Sequence, residues 1–259
     1  MNLELDLQLA LAKAGEHQEF NPYPRVSSLM TCAKRLTLER VLAAPGVGQQ
    51  KPKGMSWQGA LSARQGNWVE DGVVALLRNQ GYTVRDQQRE LYWPTKEEPM
   101  LSGHIDGIIE KQLGAITSEP HLFECKATSA YRYAQFWKNG LMEEPAYHAQ
   151  VTLYMDLLRN EGEDIESALV VLVAKDPSSV GMQFRGKEVP PPIMVFEVPY
   201  DAVAARNYLN RAEWLGEMFR AGTLGPMERK PKMGNSGDWD CSERWCPVFK
   251  ECNPLGRQL

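Results

Sequence analysis

The chain has 259 residues, 43% apolar and 24% charged, the balance of an ordinary globular protein and not of a disordered one. A formal net charge of −4 gives no global attraction to nucleic acid, although local basic clusters still set the field at a cleft. No stretch approaches the roughly 20 uninterrupted apolar residues of a membrane span, and the opening segment, with acids among its leucines, reads as an amphipathic helix and not a signal peptide, so the expected location is the cytoplasm.

In chain order, Asn21-Pro22-Tyr23-Pro24 is a break, and Ser27 or Ser28 is placed to cap a helix through Leu29, Cys32, Leu36 and Leu38 towards Leu42. Residues 44–54, rich in Gly, Pro, Gln and Lys, read as a loop. The spacing of Trp68, Val69, Val73, Leu76 and Leu77 predicts a helix from about Trp57 to Asn79, ended by Gly81. Tyr82 to Trp93 reads as a strand, Leu101 to Ile109 as a second and, past a hairpin loop at Gly114, His121 to Lys126 as a third. Helices are expected over 130–139 and 146–159. Ala168 to Ala174 is the continuous apolar run of a strand buried on both faces. Met182 to Arg185 and Ile193 to Val198 read as edge strands around the triple proline at 190–192, and Asp201 to Arg220 as a helix. The tail from Gly222 has little apolar periodicity and needs something other than a core to hold it.

Three polar groups interrupt this apolar framework. Asp106 lies in Gly103-His104-Ile105-Asp106-Gly107, and Glu124 and Lys126 lie in Phe123-Glu124-Cys125-Lys126. Alternation along a strand puts Glu124 and Lys126 on one face and Cys125 on the other. Pairing 101–109 with 121–126 brings Asp106 beside them. Two converging carboxylates favour a neutralising cation, and hard oxygens select Mg²⁺ or Mn²⁺. Such a cation activates water for attack on phosphorus, and Lys126 is then placed to orient that water or to stabilise charge on the phosphate. Basic residues cluster at Lys34, Arg35 and Arg40, at Lys126, Arg132 and Lys138, and at Arg229, Lys230 and Lys232.

The cysteines form a second pattern. Cys241, Cys246 and Cys252 fall within twelve residues of an irregular tail, and a soft ion wants four thiolates. The fourth comes from Cys32 or Cys125. Cys125 is expected beneath the strand as an inert thiol, so Cys32 is the better candidate.

Gly-His-Ile-Asp-Gly followed by Phe-Glu-Cys-Lys resembles the PD-(D/E)XK nuclease signature. Gln150-Val151-Thr152-Leu153-Tyr154 resembles the Q-x-x-x-Y element of the RecB-like branch, and Gly66-Asn67-Trp68-Val69-Glu70 its helix-borne first motif. Many RecB-like members carry His where this chain has Glu70; a Glu there resembles the lambda exonuclease group. The resemblance covers residues 57 to 175. It implies that Asp106 and Glu124 bind metal with the carbonyl of Cys125, that Lys126 is the catalytic lysine, that Glu70 is a further metal ligand or substrate positioner, and that Gln150 and Tyr154 contact the DNA strand or brace the site. His104 and His148 are expected to be bystanders. One Cys on an N-terminal helix and three near the C-terminus also resemble the iron–sulfur members of that branch, such as AddB and the CRISPR-associated RecB-like nucleases, although the spacing of Cys241 and Cys246 is four residues where two is usual. That resemblance implies a [4Fe–4S] cluster on Cys32, Cys241, Cys246 and Cys252, with structural Zn²⁺ as the alternative.

The expected fold is therefore α/β, a mixed central sheet flanked by helices with an iron–sulfur shell from the two chain ends. It divides into an N-terminal helical segment over 1–56, a nuclease core over 57–221 and a cysteine-rich tail over 222–259. The expected function is a Mg²⁺- or Mn²⁺-dependent DNA nuclease, an exonuclease on DNA ends or single strands acting in recombination, repair or phage replication. The alternatives are a structure- or site-specific endonuclease and a non-catalytic DNA-binding module that retains a cluster.

Overall fold

The structure, a computed structural model, describes residues 24–43, 57–113, 116–184, 189–229, 241, 246 and 248–252. The amphipathic segment expected at the N-terminus, the loop over 44–54 and most of the tail lie outside the described residues. The strands are β1 (Tyr82–Arg85), β2 (Glu90–Trp93), β3 (Leu101–His104), β4 (Gly107–Leu113), β5 (Ile116–Thr117), β6 (His121–Thr128), β7 (Ser167–Ala174) and β8 (Ile193–Pro199). The helices are α1 (Ala33–Ala43), α2 (Trp57–Asn79), α3 (Ala130–Asn139), α4 (Pro145–Asn160), α5 (Pro177–Phe184), α6 (Ala202–Ala221) and α7 (Phe249–Cys252). No helix among the described residues is long and apolar enough to cross a membrane.

The central sheet is mixed and runs β1-β4-β6-β7-β8, with β5 paired to the end of β4. Only β6 and β7 run parallel, from His121↔Ser167 to Thr128↔Ala174; the other pairs are antiparallel. Parallel neighbours need a long crossover, and residues 129–166 supply it as α3 and α4. Ser129 starts α3 by accepting the Arg132 N–H, Pro145 opens α4 in its first turn, and Asp201 caps α6 by accepting from Val203 and Ala204.

The alternation of side chains sorts the sheet into two cores. Phe123, Cys125, Val171, Ile109 and Val84 meet Val69, Val73, Val74 and Leu77 of α2. Leu122, Ile108, Ala168, Val170 and Leu172 turn the other way, into a larger core with Tyr133, Phe136, Leu153, Met155 and Leu158 of the crossover and Leu209 and Leu215 of α6. The continuous apolar run of β7 follows from this, since its residues enter both cores. Glu124 shares the parity of Leu122 and so points toward the larger core, under α4.

Two expected strands are each divided. Tyr82–Trp93 splits into β1 and β2, because Asp86 and Gln88 take φ of 55° and 57° and turn the chain out of the sheet. Leu101–Ile109 splits at Ile105–Asp106 into β3 and β4. The outer halves, β2 and β3, form a separate two-stranded sheet with Glu90↔His104 through Trp93↔Leu101. Met182 to Arg185 is not a strand: the segment up to Phe184 ends α5, which Asp176 initiates by accepting from the Ser179 N–H at 3.3 Å just before Pro177. A capping Asp followed by Pro is a helix start, and it overrides the short apolar alternation. The first helix also begins later than expected, after a 3₁₀ turn at Val26–Ser28, which leaves Cys32 just ahead of α1.

The start of the tail is held by polar contacts. Glu228 Oε2 accepts the Ala33 N–H at 2.8 Å, standing as a cap on the open end of α1. Arg211 of α6 grips Glu228 at 2.6 Å and also donates to the carbonyls of Leu29 and Thr31. Gly225 N–H donates to Thr37 Oγ1 at 2.9 Å, in a place where a Cβ would lie 2.8 Å from that of Ala33.

Gly103 is required by packing. A Cβ there would lie 2.6 Å from Cε1 and from the hydroxyl oxygen of the buried Tyr154. Gly103→Ala is expected to lower stability by about 1–3 kcal/mol, the usual cost of overpacking. In urea unfolding, pairing it with a smaller residue at 154 should cost less than the sum of the two single changes, as contacting sites do.

Candidate active site

The break between β3 and β4 delivers Asp106 to the centre of the sheet. Gly107 pairs with Phe123, so Asp106 stands at the end of that ladder, and its Oδ2 accepts the Cys125 N–H at 2.7 Å. Glu124 is only 1% exposed. Its Oε1 takes an ion pair from Lys126 Nζ and a hydrogen bond from Gln150 Nε2 of α4 at 2.9 Å. Its Oε2 is buried with no hydrogen-bond partner. An unpaired buried carboxylate oxygen costs several kcal/mol unless something compensates it.

Glu70, on α2, closes the cluster from the other side, with Oε1 accepting from Gln88 Nε2 at 2.9 Å. Burial first, then the nearby Asp106, pushes its carboxyl up to about 7. Glu124 is likewise pushed up to about 7 by burial, with Lys126 opposing and Asp106 adding. Asp106 is raised by burial against the pull of Lys126, the Cys125 N–H and Gln88. Burial pulls the Lys126 ammonium down, but Glu124 and Asp106 outweigh it and hold it above the usual lysine range. Lys126 is thus a fixed positive charge and not a proton acceptor.

Three acids raised together around one lysine leave the pocket short of positive charge. That is the electrostatic condition for a hard cation, and the orphaned Glu124 Oε2 is a donor atom free to meet it. Among the described residues no group of three or more His, Cys, Asp or Glu side chains is arranged as a metal cage. Asp106 and Glu124 are the pair that best fits a divalent ion, with Glu70, held by Gln88 through Oε1, beside them.

The fold is shared with a solved protein. SSO0001 superposes with a TM-score of 0.51 at 15% identity, covering 95% of this chain and 93% of its own. An alkaline exonuclease from Laribacter hongkongensis matches with a TM-score of 0.49 at 12% identity, over 84% of this chain and 93% of that one. A phage-related exonuclease from Haemophilus somnus 129PT matches with a TM-score of 0.47 at 14% identity, over 78% and 95%. No protein-family model and no curated protein matches the chain.

Of the residues singled out in the sequence, Glu70, Asp106, Glu124, Lys126 and Gln150 gather here. Tyr154 lies one helical turn beyond Gln150, 2% exposed and packed against Gly103. His104 stays outside, paired with Glu90 at 3.1 Å, and His148 meets the Tyr208 hydroxyl at 3.2 Å. Two neighbours were not singled out. Tyr147, stacked on Phe136, holds its ring 5.4 Å from Lys126 Nζ; Gln88 donates to Glu70 at 2.9 Å. Tyr147, three residues before Gln150, was legible as the same helix face. Gln88 sits in a turn and carried no signal. The basic cluster around Lys126 is largely compensated, since Arg132 is paired with Glu143 at 3.2 Å and Glu144 at 2.8 Å.

Cys125 lies on the α2 side of β6, half-buried, its thiol pushed up to about 12 by burial first and then by the three acids, which makes it inert. Cys32, Cys241, Cys246 and Cys252 are all buried. Cys246 and Cys252 pack with Val248 against Leu38 of α1. Burial raises the Cys252 thiol, and the neighbouring Cys32 raises it further. The expected four-thiolate cage is nonetheless not assembled among the described residues.

Glu70 and Glu124 sit above their ordinary value of 4.5, so the metal-free native state binds more protons than the unfolded chain between that value and about 7. Their contribution to stability is complete below pH 4.5 and is lost as pH rises through about 7. Thermal unfolding should therefore show a falling midpoint over that window, with Mg²⁺ or Mn²⁺ restoring it most at the alkaline end. Glu124→Gln should flatten the fall.

Proposed function

We propose that this chain is a Mg²⁺- or Mn²⁺-dependent deoxyribonuclease that hydrolyses phosphodiester bonds, acting as an exonuclease on DNA ends or single strands. One observation carries the reading: a buried carboxylate, Glu124, with one oxygen unpaired, beside Asp106 and a lysine that stays charged. Asp106 and Glu124 would hold the cation, with the Cys125 carbonyl and Glu70 as further donors. The cation, when bound, supplies an acidified water and a positive charge for a phosphoryl oxygen. The protein does the rest. Lys126 presents a permanent ammonium to the charge that builds on the phosphate. Gln150 fixes the Glu124 carboxylate, and Tyr154 braces that helix turn against Gly103.

End-labelled linear DNA and covalently closed circles, each incubated with Mg²⁺ and with Mn²⁺, test this. Linear DNA should be degraded from its ends and closed circles spared; cleaved circles would make it an endonuclease instead. Asp106→Ala and Lys126→Ala are expected to lower the cleavage rate by at least about a hundredfold while DNA binding persists, since electrostatic groups at a reacting centre are worth that much. Wild-type protein that binds DNA and never cuts it leaves a binding module.

We further propose that Cys32, Cys241, Cys246 and Cys252 take a [4Fe–4S] cluster, with Zn²⁺ as the competing ion. The placement of one cysteine ahead of α1 and three in the tail, and the burial of all four thiols, support this reading. Anaerobically purified protein should be brown and contain about four irons per chain, the stoichiometry of such a cluster; colourless protein with one zinc would replace it.

A further inference from the structure

The turn between β1 and β2 is the strained part of the backbone. Asp86 and Gln88, at φ of 55° and 57°, are the non-glycine residues in the left-handed region among the described residues. Such a conformation costs about 1–3 kcal/mol and persists only where its surroundings enforce it. The enforcement is visible. Arg85 reaches Asp86 at 2.8 Å, Glu110 at 3.0 Å and Glu163 at 2.9 Å. Arg89 reaches Asp86 at 3.1 Å, Glu161 at 2.5 Å and Glu163 at 3.0 Å. The Gln88 N–H donates to the Ile105 carbonyl at 2.9 Å, and the Ile105 N–H to the Arg89 carbonyl at 3.2 Å. The turn is therefore fixed to the β3–β4 break that carries Asp106.

What this framework presents to the site is one side chain. Gln88 Nε2 donates to Glu70 Oε1 at 2.9 Å, while its backbone N–H holds the Ile105 carbonyl next to Asp106. Gln88 is itself exposed, so apolar packing does not account for its fixed place.

We propose that Gln88 is a positioning residue that holds Glu70 in place beside Asp106 for a divalent cation, an assignment that rests on the metal-dependent nuclease reading above. Carboxylates that ligate a metal are oriented by the hydrogen bonds they accept, and removing such a partner typically weakens metal affinity or activity ten- to a hundredfold. Without the amide Glu70 loses its hydrogen-bond donor and, repelled by Asp106, is free to leave the cluster.

Gln88→Gly separates this role from a structural one. Glycine adopts a φ of 57° without strain, so the variant should unfold at the wild-type temperature or above it. Mn²⁺ titrated into the full chain, followed by calorimetry, should show a dissociation constant about ten- to a hundredfold higher than wild type. Cleavage of linear DNA should recover when Mn²⁺ is raised in proportion. Gln88→Asn keeps the amide on a side chain one methylene shorter, and it too should bind Mn²⁺ more weakly at unchanged stability. Wild-type Mn²⁺ affinity in both variants overturns the proposal. Wild-type protein that binds Mn²⁺ without cutting DNA removes the nuclease reading alone, and the shift in the Gly variant still decides the role of Gln88. Wild-type protein that binds no Mn²⁺ overturns both.

Discussion

A carboxylate buried between a sheet and the helix that covers it is the constraint around which this molecule is organised. Isolated burial of a charge costs several kcal/mol even after relaxation, and Glu124 is nearly inaccessible. Lys126 and Gln150 satisfy one of its oxygens and leave the other open. Lys126 comes from the same strand two residues on, and Gln150 from the crossover helix that the parallel β6–β7 pairing makes necessary. The topology thus fixes the site: a sheet with only antiparallel neighbours at β6 would need no α4, and nothing would reach Glu124 from above.

The periphery is fastened differently. The segment before α1 and the start of the tail meet α6 through Arg211 and Glu228, a pair that also closes the open amino end of α1. Glu228 is held below the usual carboxylate range by Arg211. The expectation that the tail needs something beyond a core was sound for this stretch, but what holds it is a charged hydrogen-bond network. The thiols further along add their own buried cluster against Leu38.

Much of this was legible in the sequence, for identifiable reasons. Trp57–Asn79 and the helices of the crossover show strong helical periodicity with clear stops, and β7 shows the unbroken apolar run of a doubly covered strand. Asp106, Glu124 and Lys126 stand out because each interrupts an apolar stretch. What was not legible depends on tertiary context. Asp86 is of a type that enters the left-handed region but Gln88 is not, and with no glycine beside them β1 and β2 read as one strand. The split at Ile105–Asp106 was hidden for the same reason, since the apolar pattern runs through a place where the chain changes sheets. Gln88 belongs to no motif, and its contacts arise only once that turn is folded against β4.

The hydrogen bond from the Cys125 amide to Asp106 has a consequence for the sheet itself. Beyond Phe123 the β4 edge no longer offers β6 a backbone partner, and the Ile105 carbonyl is already taken by Gln88. The aspartate side chain finishes the ladder there, satisfying an amide that the start of β4 leaves without a backbone partner. Removing it would leave that part-buried amide without its acceptor, at about 1–3 kcal/mol, so the residue at 106 bears on stability as well as on charge.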